Sequence, residues 1–153
     1  MTDARSFSVR VRVYYEDTDA GGIVYHANYL RWMERARTEW LRSLGARHAE
    51  LAAGPGLQFV VSEMAIRWIA PARLDDLLDV DVAVLEVRRA SMRLAQRVWR
   101  PPQDASGATP PGPDAAADRV LLAEATVRAA ATDRASGRPV AMPRALLETL
   151  GTR

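Results

Sequence analysis

Apolar and polar residues alternate from Ser8 to Tyr15, with Val9, Val11 and Val13 on one face and Arg10 and Arg12 on the other. A period of two predicts a half-buried strand. The pattern breaks over Asp17 to Gly22, where two aspartates, a threonine and two glycines predict a turn. From Asn28 to Leu44 the period lengthens. Leu30, Met33, Ala36 or Arg37, Trp40, Leu41 and Leu44 recur at helical spacing, while Glu34, Arg35, Glu39 and Arg42 supply a polar face. This predicts one long amphipathic helix, stopped at Gly45. A shorter helical or irregular piece, Arg47 to Ala53, ends at Gly54-Pro55-Gly56.

Strand patterns fill most of the remainder. Leu57 to Ile69 sets Met64, Ile66 and Trp68 against Glu63 and Arg67, and Pro71 to Asp76 predicts a turn. Leu78 to Val87 alternates Val80, Val82 and Val84 with Asp79, Asp81 and Ala83; Ser91 to Arg100 and Val120 to Thr132 predict two more strands. RALLETL, after Pro143, predicts a short terminal helix with proline at its first position. Residues 101–119, PPQDASGATPPGPDAAADR, contain five prolines and no aromatics, which predicts a flexible hairpin insertion and not a second domain. The order is a strand, a long helix, then at least four consecutive strands. That predicts an α+β fold over 1–153, one domain with a helix laid against an antiparallel sheet. Such a sheet leaves a face or an edge uncovered, so pairing with another copy is expected.

Composition narrows the chemistry. With no cysteine, disulfides, thiolate metal sites and a cysteine nucleophile are excluded. All 21 basic residues are arginine, which removes lysine Schiff-base chemistry and the phosphate-loop lysine. Arginine does not titrate below about pH 12, so a net charge of +2 gives a pI near 9.5. These arginines are scattered among acids and form no basic block, so no nucleic-acid partner is expected. No apolar run approaches the ~20 residues of a membrane span and no signal peptide is visible; a cytoplasmic protein, not integral to the membrane, is expected.

The densest chemistry lies between Val13 and Tyr29, VYYEDTDAGGIVYHANY. Two aspartates, a Gly-Gly break and His26, one of two histidines, sit where strand gives way to helix. A carboxylate, an imidazole and a helix N-terminus can meet there, and together they suit acyl-group chemistry. Taken alone, Asp17, Thr18 and Asp19 also fit a turn and a helix cap. His48 reads as surface, and Trp32 and Trp40 as core or interface.

The stretch YYEDTDAGGIVYHANY, the helix segment ERARTEWL and the later APARLDD together resemble the hot-dog-fold acyl-CoA thioesterases. Within them the chain is similar to the 4-hydroxybenzoyl-CoA thioesterase group, and to its branch associated with the Tol-Pal cell-envelope system. The resemblance runs from about Val9 to Leu147; the Pro-rich insertion departs from it. It implies a long helix wrapped by about five antiparallel strands, and hydrolysis of acyl-CoA or of acyl carrier protein thioesters. By position it implies Asp19 as the essential carboxylate, His26 as a second catalytic residue and Tyr15 as a weaker one. The thioester carbonyl would be polarised by backbone N–H groups near Tyr25 and His26. Gly22, beside Gly21, would let backbone and substrate approach closely. Asp19 could attack directly or activate a water; the sequence leaves both open. Arg88, Arg89 and Ser91 form a short basic turn that, by the same resemblance, lies near the CoA phosphates. A homodimer or homotetramer is implied, and no metal or redox cofactor. Branch resemblance favours aliphatic acyl chains. A hydroxyacyl dehydratase on the same fold, a non-catalytic acyl-CoA-binding or protein-interaction module and a nucleic-acid binder are the competing readings.

Overall fold

The computed structural model describes residues 6–103 and 118–151. The chain runs through β1 (Phe7–Arg12), a 3-10 turn (Tyr15–Asp17), α1 (Asn28–Ser43), α2 (His48–Ala53), β2 (Leu57–Trp68), β3 (Leu77–Val87), β4 (Ser91–Arg100), β5 (Val120–Asp133) and α3 (Arg144–Gly151). All neighbouring strands pair antiparallel, in the order β1-β3-β4-β5-β2. The expected α+β arrangement, one long helix on a five-stranded sheet, is what forms.

Period-two patterning divides the sheet into an apolar face and a charged one. Val80, Val82, Leu94, Val98 and Val127 are fully buried beneath the helix. α1 buries Tyr29, Trp32, Met33, Ala36, Trp40 and Leu41 against them. Gln96 is the polar exception on this face. Its amide oxygen accepts from Arg37 Nη1 (2.8 Å) and its amide nitrogen donates to the Met33 carbonyl (2.9 Å), so the fully buried amide is satisfied. The same burial lowers the Arg37 pKa, with nearby Glu34 acting in the opposite sense.

Several elements differ from expectation for local reasons. β1 stops at Arg12 and does not reach Tyr15, because Val13 N–H bonds the Asp76 carbonyl (2.9 Å) and the chain then turns. Leu30 is exposed, and Tyr29 and Trp32 take its place in the helix stripe. The apolar face is thus rotated about one position from the predicted one. Pro143 precedes α3 and accepts from Leu147 N–H (3.0 Å), which makes it a cap and not the first helical residue. Trp68 leaves the buried face and is 46% exposed. A register shift between Val61 and Glu63 places both Val60 and Val61 in the open on edge strand β2. The predicted insertion at 101–119 joins Arg100 to its register partner Val120. Its middle, 104–117, lies outside the described residues.

Candidate active site

Three segments far apart in sequence meet at the start of α1. Residues 17–25 form a tight hairpin: Tyr25 N–H donates to the Asp17 carbonyl (2.9 Å), Asp19 N–H to the Ile23 carbonyl (2.8 Å) and Gly22 N–H to the Asp19 carbonyl (3.0 Å). The three-residue loop Ala20-Gly21-Gly22 closes on Gly22 at φ +80°, the left-handed conformation such loops require and glycine adopts freely. The segment from Ala70 to Asp76 braces this hairpin. Ala72 accepts from Val24 N–H (2.9 Å) and its own N–H donates to the Tyr29 hydroxyl (3.0 Å), while Asp76 accepts from Val13 N–H. Burial raises the Tyr29 pKa, opposed by the hydrogen bond from Ala72.

The two aspartates of the motif have opposite surroundings. Asp17 is half-buried, and both carboxylate oxygens are engaged: Oδ2 by Tyr14 N–H (2.8 Å) and Oδ1 by Asn28 Nδ2 (2.9 Å). Asp19 is exposed. Its Oδ1 accepts from Gly21 N–H (2.8 Å), a local Asx-type contact, and its second oxygen accepts no hydrogen bond among the described residues. A side chain at position 21 would crowd that contact, since a Cβ there would lie 3.1 Å from Asp19 Oδ1.

The hairpin feeds directly into α1. Ala27 caps the helix with no side-chain hydrogen bond. Tyr25 N–H is taken by Asp17, whereas neither His26 nor Ala27 N–H makes a backbone hydrogen bond among the described residues. These donors lie at the positive end of the helix dipole, where developing negative charge is stabilised. The His26 imidazole is exposed between two rings: Tyr25 at 4.7 Å between centroids and Trp68 at 5.7 Å, the latter edge-on at 86°. Trp68 Nε1–H also donates to the His26 carbonyl (3.0 Å). Sequence reasoning missed this residue, because its alternation with Met64 and Ile66 assigns it to the core. Tyr15 is 82% exposed in the 3-10 turn, and its carbonyl accepts from Thr18 N–H and Oγ1.

At the β3–β4 turn the structure brings two of the three predicted residues into one depression. Arg88 and Ser91 line it with Glu86, Met92, Arg93 and Arg128. Arg88 pairs with Glu86 (2.9 Å). Arg89 does not line this depression; its carbonyl instead accepts from Met142 N–H (2.9 Å). Arg93 and Arg128 are direct cross-strand partners, flanked in register by Glu86 on β3 and Glu63 on β2. Two opposed arginines repel, and the outer glutamates offset that repulsion. Neither arginine stands out in the sequence, because 35 positions separate them and only the β4–β5 register joins them.

A second cleft of about 120 Å³ lies between α1 and β2. Leu41, Phe59, Val60, Val61, Met92 and Ala129 give it apolar walls, and Glu34, Arg37, Thr38 and His48 add polar edges. Among the described residues no group of three or more His, Asp or Glu side chains is gathered to hold a metal, and no helix is long and apolar enough to cross a membrane.

The chain belongs to the thioesterase superfamily, which its residues 21–106 match. It has the hot-dog fold and is a thioester hydrolase. Its similarity extends to the YbgC enzymes. The acyl-CoA thioesterase YbgC of Haemophilus influenzae is 44% identical over 138 residues, 90% of this chain and 89% of that protein. The acyl-CoA thioester hydrolase YbgC of Escherichia coli O6:H1 is 39% identical over 137 residues, 90% of each chain. The structure of 4-hydroxybenzoyl-CoA thioesterase from Pseudomonas sp. strain CBS-3 shares the fold, with a TM-score of 0.79 over 95% of this chain and 99% of that one at 23% identity.

Proposed function

We propose that this enzyme hydrolyses acyl-CoA thioesters to a free carboxylic acid and CoA, with Asp19 carrying the chemistry. The observation that supports this most is the contrast at the hairpin: Asp17 is fully engaged, while Asp19 presents an unengaged oxygen beside a helix start with open N–H groups. The developing oxyanion on the thioester carbonyl is received by the N–H of His26, with Ala27 next in line. Tyr25 N–H already donates to the Asp17 carbonyl, which favours His26 N–H for that role. Asp19 either adds to the carbonyl carbon, giving a mixed anhydride that water then cleaves, or removes a proton from an attacking water. In both routes the C–S bond breaks and its electron pair leaves on sulfur. A thiolate is a competent leaving group without a strong acid. His26 orients the water or relays a proton, and Tyr15 is a weaker participant.

The depression containing Arg88, Ser91, Arg93 and Arg128 suits the CoA phosphates, since arginine forks match phosphate oxygens. Arg89, exposed on the same turn, is a further candidate for that arm. The apolar cleft between α1 and β2 supports an aliphatic acyl group. Its helix residues Glu34 to Leu41 lie 8–15 positions past His26, roughly 12–22 Å along the axis at 1.5 Å per residue. Edge strand β2, with Val60 and Val61 exposed, supports association with a second copy as a dimer or tetramer.

Thiol release from acyl-CoAs running from acetyl to palmitoyl, with benzoyl and 4-hydroxybenzoyl esters alongside, tests this directly. Turnover on some aliphatic chain lengths that collapses in Asp19→Asn is the expected result. If folded wild type releases no thiol from any CoA ester, the CoA reading fails and carrier-protein thioesters take its place.

A further inference from the structure

We propose that Trp68 is a positioning residue for the hydrolytic site, acting through both the backbone and the ring of His26; this rests on the catalytic reading of His26 and on Ala27 N–H serving beside His26 N–H as an oxyanion donor. Trp68 ends β2, and the next two residues anchor the strand end. Ile69 and Ala70 N–H both donate to the Leu122 carbonyl, at 2.7 and 3.1 Å. The Trp68 side chain is 46% exposed and its indole N–H reaches across to the His26 carbonyl (3.0 Å), 42 positions away in sequence. A large aromatic held at an open strand end therefore has its one polar bond to the residue just before the helix cap.

That bond has a geometric consequence. In a trans peptide the carbonyl and the following N–H point in opposite directions, so fixing the His26 carbonyl also fixes the direction of Ala27 N–H. The first N–H groups of a helix have no intrahelical partner and no side chain caps α1; Asn28 and Leu30 N–H hold the Tyr25 and Ala27 carbonyls on either side (2.8 and 3.2 Å), and the indole holds the carbonyl between them. The indole also meets the imidazole edge-on at 5.7 Å, and the Tyr25 ring contacts the same imidazole at 4.7 Å. Trp68 thus holds the donor peptide and the imidazole in one arrangement before substrate arrives. Preorganised donors need no rearrangement in the transition state, so their loss falls on kcat.

The test compares Trp68→Phe, which keeps a ring without the N–H, with Trp68→Leu, which keeps neither, each in wild-type and His26→Ala backgrounds. Trp68→Phe is expected to lower kcat about tenfold with KM within about twofold, and Trp68→Leu to lower it further. The Trp68→Phe loss, which runs through the backbone carbonyl, persists in the His26→Ala background, whereas the extra loss of Trp68→Leu disappears there with the imidazole. Unchanged kcat in both Trp68 variants, an extra loss of Trp68→Leu over Trp68→Phe that remains without the imidazole, or a parallel fall of kcat and melting temperature that also moves KM would overturn the proposal. Tryptophan fluorescence reads the contact without turnover. His26→Ala shifts the emission of wild type and leaves that of Trp68→Phe unchanged; an equal shift in both contradicts the contact. If wild type releases no thiol, the hydrolase reading fails, and the fluorescence still decides whether Trp68 holds His26.

Discussion

The 17–25 hairpin has a locked shoulder and an open mouth, two positions apart in the chain. At the shoulder, Asp17 ties Tyr14, Asn28 and Tyr25 together through its two carboxylate oxygens and its carbonyl. At the mouth, Asp19 spends one oxygen on Gly21 and leaves the other open. Both are aspartates beside a turn, so residue type does not distinguish them. Partners do. A carboxylate saturated by local donors is a brace, because moving it costs hydrogen bonds at both oxygens. A carboxylate held by one short contact is aimed, yet still able to react.

That contrast can be broken at either end. Asp19→Asn is expected to lower turnover by about 10²–10⁴-fold, the usual scale for a positioned acid, base or nucleophile, with a melting temperature close to wild type. Arg93→Ala and Arg128→Ala should raise KM for CoA esters about tenfold and leave kcat nearly unchanged, since the proposed contacts to the CoA arm would act equally in ground and transition states. Asp17→Ala should show the reverse of Asp19→Asn. It strips acceptors from Tyr14 N–H and the buried Asn28 amide, costing ~1–2 kcal/mol, which thermal unfolding would show as a lower midpoint.

The smallest effect concerns Tyr29, the buried post under the brace. Its folded-state pKa is raised by burial, so the associated stability is fully present below the unfolded value of about 10 and is lost as pH rises through the higher folded value. Denaturant titrations between pH 9 and 11 should show that alkaline loss in wild type and a weaker one in Tyr29→Phe. The variant also starts about 1 kcal/mol lower, because Ala72 N–H loses its acceptor.

Much of this was legible in the sequence because the relevant signals are local. Period-two and helical spacing located all five strands and α1, and DTDAGG announced a tight turn on its own chemistry. What stayed hidden depends on register and twist. Trp68 reads as core by alternation, but the end of β2 lies beside the start of α1 and the indole finds His26. Leu30 reads as core by spacing, but the larger Tyr29 and Trp32 rings set the buried face. Arg93 and Arg128 become a pair only once β4 and β5 align. APARLDD carried the family resemblance, but its physical role, bracing the hairpin through Ala72 and Asp76, is visible only in the backbone hydrogen bonds.

The decisive experiment measures thiol release by Asp17→Asn and Asp19→Asn side by side, on one acyl-CoA that wild type turns over, well below the melting temperature of each. A brace and a reactive group predict a crossed outcome: Asp17→Asn melts earlier yet retains most of its turnover while folded, and Asp19→Asn keeps its midpoint and loses activity at least about a hundredfold. Activity retained by Asp19→Asn, or activity that merely follows melting temperature in both variants, would contradict the assignment of the chemistry to Asp19.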